Sequence, residues 1–136
     1  MINNLDISIF DKRFKQIRPA KLLLDMLVYL YCLKDSPFKY AENTLKISEL
    51  NLIEAMSEVS VNELTKSQLQ SKERRLRWWR TRLELEGAIK YKQSNVSLYM
   101  INPLYYFNGT DAEFKKAKNR WNSFDCKHTP YYFNEI

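Results

Sequence analysis

Glycine is nearly missing from this chain of 136 residues: there are two, Gly87 and Gly109, far apart. A phosphate-cradling Gly-x4-Gly-Lys loop is excluded, because it needs glycines at fixed spacing. With only four prolines, collagen-like and low-complexity classes are excluded as well. Histidine occurs once, as His128, so the two-histidine metal cluster of a rolling-circle nickase cannot be assembled. Cysteine occurs twice. Cys126 and His128 are two apart while Cys32 is distant, which is not the paired spacing of a zinc site. No metal and no cofactor is expected. The longest apolar stretch, Leu22 to Leu33, is twelve residues and contains Asp25. A membrane helix needs about 20 apolar residues, so this stretch reads as a core helix and no membrane partner is expected. Met1 to Phe10 carries aspartates and asparagines where a secretory leader would be basic and then apolar. The expected compartment is cytoplasmic, with reduced thiols.

Nor does the chain carry a signature of catalysis. A serine–histidine–aspartate triad would have to use the lone tail histidine. The nine tyrosines are numerous, but a tyrosine nucleophile needs a metal or basic site around it. No enzymatic activity is expected.

What is present is an ordinary globular composition, 45% apolar and 28% charged. The length suits one domain. We place a domain at 1–122 and a tail at 123–136. The net charge is +6 and unevenly spread. Residues 1–39 carry +3, residues 40–70 carry −3, and residues 93–110 carry none. Residues 71–92 hold eight bases against three glutamates. A focused patch is better evidence for a polyanion partner than net charge is.

Ala20 to Leu33 is apolar almost all round, which implies burial on several sides, within one domain or at a dimer interface. Lys34-Asp35-Ser36-Pro37 ends that helix, and Phe38 to Thr44 reads as irregular. Ile47 to Glu58 has helical spacing. Val59-Ser60-Val61 suits a minimal strand, and Asn62 suits the cap of a short helix over 63–66. Leu64 and Leu69, five apart, imply a break near Gln68 to Gln70. Ser71 then caps a basic helix in which Leu76, Trp79 and Leu83 share one side. Opposite them lie Arg74, Arg77, Trp78, Thr81 and Arg82. Gly87 ends this helix in a left-handed cap.

Ile89–Lys92 and Val96–Ile101 read as strands joined by Gln93-Ser94-Asn95. The alternation puts Val96, Leu98 and Met100 inward and Ser97 and Tyr99 outward. Thr110 to Glu113 is a capping box for a helix carrying Phe114, Ala117 and Trp121 on one face. Tyr131-Tyr132-Phe133 is expected to dock on the domain. The class is mostly α with a small antiparallel β-hairpin. Short helix, turn, basic helix and hairpin together make a winged helix-turn-helix with helical additions at both ends.

Glu63-Leu64-Thr65 and Leu83-Glu84-Leu85-Glu86-Gly87-Ala88-Ile89-Lys90 resemble the general bacterial winged-helix pattern. Tyr99-Met100-Ile101-Asn102-Pro103 and Tyr106-Phe107-Asn108-Gly109 resemble RepL-type plasmid replication proteins. The resemblance covers about residues 60–120. It implies a winged helix, DNA binding and a role in plasmid or mobile-element replication initiation or copy control. The chain departs from that family in lacking a glycine before the basic helix and in its excess of arginine and tryptophan there.

The expected partner is double-stranded DNA. Its expected contacts are Lys72, Arg74, Arg75, Arg77, Trp78, Thr81 and Arg82 on the helix, with Lys90, Lys92 and Asn95 on the wing. Arginine pairs with guanine edges, and both bases neutralise phosphates. A homodimer is expected, since readers of this kind pair two half-sites by symmetry. The alternatives are a transcriptional repressor of the same fold and a protein-interaction module whose arginines meet an acidic partner.

Overall fold

The computed structural model describes residues 18–124. The first described helix, α1, spans Arg18–Cys32. Leu23, Leu24, Leu27 and Leu30 are buried on one side, while Leu22 and Tyr29 are 58% and 59% exposed. Its last turn closes when Ser36 Oγ donates to the Leu30 carbonyl at 2.6 Å. Side-chain donors of this kind satisfy the orphan carbonyls of a helix end.

The expected irregular stretch is instead a hairpin of β1 (Lys39–Ala41) and β2 (Thr44–Ile47). Asn43 makes the turn possible. It sits at φ 55°, a left-handed conformation that asparagine tolerates better than most residues. Its Nδ2 donates to the carbonyls of Ile101 (3.1 Å) and Tyr106 (2.7 Å), and its backbone N–H donates to the Tyr31 hydroxyl.

Helix α2, Glu49–Ser57, starts two residues later than the spacing suggested, because Ser48 accepts from the Asn51 N–H as its cap. The expected strand at 59–61 is not formed; Val61–Glu63 is a single 3-10 turn capped by Ser60. Nor is there a break at 68–70 or a cap at Ser71. Helix α3 runs unbroken over Lys66–Leu85, with Thr65 as cap and Gln68 closing a capping box. The misleading pair was Leu64 and Leu69: both pack on the core, but Leu64 lies before the helix begins. Within α3 the periodic residues are Leu69, Leu76 and Leu83, each seven apart, which one helix face accommodates. Gly87, at φ 79°, ends α3 as expected. Its N–H reaches the Glu84 carbonyl and the Ala88 N–H reaches that of Leu83, the double bond of a Schellman cap.

Strands β3 (Ile89–Lys92) and β4 (Ser97–Ile101) follow, and helix α4 (Asp111–Ser123) starts on the expected Thr110–Glu113 capping box. All four strands pair antiparallel in the order β1-β2-β4-β3. Among the described residues the fold is therefore a small α+β domain of four α-helices and a four-stranded sheet, more sheet than a lone hairpin. The strand phase is also opposite to expectation. Ser97, Tyr99 and Ile101 are buried, with Tyr99 and Ile101 in the main core beside Leu45, Ile47, Ile89 and Tyr91. Val96 is exposed and Met100 is buried outside that core. Alternation failed as a guide because both sheet faces are covered: helices α1 and α3 on one, Trp121 of α4 on part of the other. No helix among the described residues is long and apolar enough to cross a membrane. The tail aromatics, Cys126 and His128 lie outside the described residues.

Candidate nucleic-acid interface

Eight bases crowd residues 71–92, and the fold sorts them into three kinds. Two are structural. Arg80 lies with its guanidinium carbon 4.0 Å from the centre of the Tyr91 ring, and its Nη1 donates to the Tyr99 hydroxyl at 3.3 Å. Burial pushes the Tyr99 phenol up to about 12, against the pull of the Arg80 charge. For Arg80, burial disfavours the charge, but Tyr99, Tyr91 and Glu49 together outweigh it and the guanidinium is held above its usual value. Arg80 thus clamps α3 to the sheet.

Lys90 is the second. The expectation that it contacts DNA from the wing does not fit its position. It is 5% exposed, its Nζ donates to the Trp121 carbonyl at 2.5 Å, and it lies 4.7 Å from that residue's ring centre. A strand position that points outward in a bare hairpin is roofed here by α4.

Two more bases carry local counter-ions. Arg77 Nη2 lies 3.1 Å from Glu73 and 3.4 Å from Glu49, and Arg82 Nη2 lies 3.4 Å from Glu86. The Arg77 pairs are exposed, contribute about 0–1 kcal/mol and are readily exchanged for another anion, whereas the Glu86 carboxylate of the Arg82 pair is largely buried. The Glu49 partner was invisible in the sequence, since it sits on α2, 28 positions away.

The remaining four have no ion pair among the described residues: Lys72, Arg74, Arg75 and Lys92. Arg74, Arg75 and Lys92 are exposed and Lys72 is half-buried. Trp78 stands between the arginines on the outer side of α3, 55% exposed, while Trp79 packs against the core. Thr81 is half-buried and Asn95 is exposed in the 93–96 loop.

Arg80 precedes Gly87 by seven residues, about 10 Å of helix, and Tyr91 follows it by four, about 13 Å of strand. Since Arg80 and Tyr91 touch, β3 runs back along α3. The hairpin tip with Lys92 and Asn95 therefore lies toward the N-terminal half of α3, where Arg74 and Arg75 are. What results is a basic ridge with one exposed indole, suited to a polyanion. Among the described residues, no group of three or more histidine, cysteine, aspartate or glutamate side chains is placed to hold a metal ion.

No family model, no curated protein and no solved structure matches this chain. The motif residues behind the resemblance to plasmid replication proteins have structural work here. Asn102 Nδ2 donates to the Gly87 carbonyl at 2.8 Å, and its Oδ1 accepts from the Leu104 N–H. Gly109 lies where a Cβ would come within 2.9 Å of the Phe107 ring. The Tyr99–Pro103 and Tyr106–Gly109 segments thus join α3, β4 and α4.

Proposed function

We propose that this chain binds double-stranded DNA through α3 and the β3–β4 hairpin, in the manner of a winged helix. One observation carries the reading: Arg74 and Trp78 are exposed on the outer side of α3 and Arg75 is exposed on its flank, with Lys92 and Asn95 at the adjoining hairpin tip. The topology supports it. From α1 the order is helix, hairpin β1–β2, helix α2, a 3-10 turn, helix α3, strand β3, strand β4, with β2-β4-β3 adjacent in the sheet and β1 added at its edge. Here α3 is the reading helix for the major groove, and β3–β4 is the wing lying on the neighbouring backbone. Arg74 and Arg75 are the base-edge or phosphate contacts, Lys72 and Lys92 the phosphate contacts, and Trp78 stacks on sugar or base. Arg77, Thr81 and Arg82 are secondary, the two arginines after exchange of their glutamate partners. No catalytic step is assigned.

Replication initiation or copy control on a plasmid or mobile element is the role that the family resemblance favours, over transcriptional repression by the same fold. Since the resembling residues hold the fold, they support the architecture more strongly than the role. The assembly proposed is a homodimer through α1, where Leu22, Met26, Tyr29 and Leu33 follow one another at helical spacing on its outer side.

A protein-interaction module is the competing reading, favoured by the glutamates already seated on Arg77 and Arg82 and by the exposed indole. Salt dependence separates them. If Lys72, Arg74, Arg75 and Lys92 each neutralise one phosphate, log K for random duplex falls with log salt at a slope of about −3.6. A flat salt response, or no duplex binding at low salt, refutes DNA binding. A bound-sequence selection from a random duplex library then yields the site, and two half-sites about 34 Å apart would support the dimer.

A further inference from the structure

Helices α1, α2 and α3 do not close completely around one another. Between them opens a cavity of about 130 Å³. Protein interiors leave few voids larger than one water, and water occupies about 30 Å³, so this pit is about four waters in size. Its lining separates by chemistry. Ile53 and Leu76, both buried, are the innermost apolar residues. Met56 and Trp79, half-buried, and Leu22, exposed, complete the apolar surface. The polar groups are Ser57, Lys72 and Arg75, and no acid lines the pit. Lys72 and Arg75, three apart on α3, also have no ion pair among the described residues.

We infer that this pit is a binding site for a small monocarboxylate with a branched or aromatic apolar body. The argument is one of size and charge. An engineered apolar cavity of about 150 Å³ takes benzene, so a body of five to eight carbon atoms suits this one, part of it at the open mouth. A neutral hydrocarbon would leave two cations facing it without a counter-ion. A carboxylate gives Arg75 the bidentate partner that its planar fork matches, within reach of Lys72 and the Ser57 hydroxyl. A ligand of about ten heavy atoms in a half-open site is expected to bind with a dissociation constant of about 0.01–1 mM.

The consequence rests on the DNA-binding reading. Lys72 and Arg75 belong both to the pit and to the basic ridge. A carboxylate seated on them removes two of the four cations available to phosphate. Bound ligand should then weaken duplex affinity about tenfold or more at low salt and make the slope shallower by about 1.8. By linkage, duplex must weaken the ligand by the same factor.

The test uses the full chain and phenylacetate, with 2-phenylethanol as the neutral isostere. The readout without DNA is the NMR shift of the Ile53 δ1 and Met56 ε methyl groups, so it stands or falls independently of DNA binding. Phenylacetate should move both methyls saturably and at least tenfold more tightly than 2-phenylethanol. Arg75→Gln should erase most of that preference. Ser57→Met, which fills the pit from outside the basic ridge, should abolish the shifts while leaving duplex binding intact. The inference is overturned if phenylacetate moves neither methyl at about 10 mM. It is overturned equally if the neutral isostere binds as well. It is also overturned if the shifts vanish on dilution to a sedimenting monomer, for then a second copy makes the pit. Ligand binding without any duplex binding would leave the site standing and refute the DNA reading instead.

Discussion

Lys90 and Lys92 lie two residues apart on β3 and so point to the same sheet face, yet the fold gives them opposite roles. Lys90→Met keeps an unbranched stem over the Trp121 ring but takes the donor away from the Trp121 carbonyl. A hydrogen bond from a charged donor is worth about 1.5–3 kcal/mol net, and a desolvated cation–ring contact about 2. Relief of the buried ammonium's desolvation works the other way and offsets part of both. The expected net loss is about 2 kcal/mol, which lowers Tm by about 7 °C for a domain of this size. Duplex binding should keep its full salt slope, because the Lys90 charge faces α4 and not solvent. Lys92→Met should do the reverse: stability within about 0.5 kcal/mol of the parent, and a slope shallower by about 0.9. Thermal unfolding and anisotropy titrations at four salt concentrations measure both quantities on the same samples. If Lys90→Met melts like the parent while its slope falls by about 0.9, Lys90 leaves the Trp121 shelf to reach phosphate, and the assignment of a structural lysine is wrong.

Arg74→Gln and Arg75→Gln should remain folded, and each should make the salt slope shallower by about 0.9; unchanged affinity and slope in both folded variants would remove α3 from the interface. Asn43→Ala should lose about 2–4 kcal/mol, from two buried carbonyls deprived of donors and from a left-handed backbone. Asn43→Gly should lose less, since it relieves the backbone alone; denaturant unfolding that ranks Ala above Gly would contradict this account. Because the Tyr99 phenol is raised to about 12 in the folded protein from about 10 unfolded, its contribution is complete below pH 10 and is lost as pH rises toward 12. That loss is about 2–3 kcal/mol, and Tyr99→Phe should flatten the stability profile across this window. Leu76→Ala should cost about 2–5 kcal/mol and weaken duplex binding only through unfolding, which circular dichroism at the binding temperature would reveal.

Local chemistry made several elements legible from the residues alone. Leu22 to Leu33 is apolar over three turns, Thr110 to Glu113 is a capping box, and Gly87 follows the last periodic leucine of α3. Each signal lies within a few residues of the structure it produces, so no distant partner is needed to interpret it. The same holds for the outward placement of Arg74 and Trp78, which follows from helical geometry once Leu76 and Leu83 are inside.

What escaped that reading depends on contacts between distant segments. Strands β1 and β2 exist because β2 finds β4 across more than fifty residues. Tyr99 faces inward because Arg80 and Tyr91 receive its ring and hydroxyl there. Arg77 meets Glu49 because α2 packs against α3. Lys90 is withdrawn from the wing because α4, some twenty residues downstream, covers it. A residue's type and period determine which side of its own element it occupies. Whether that side meets solvent, a counter-ion or another helix is decided only when the elements pack, and among the eight bases of this patch that difference separates a buried anchor from an exposed charge.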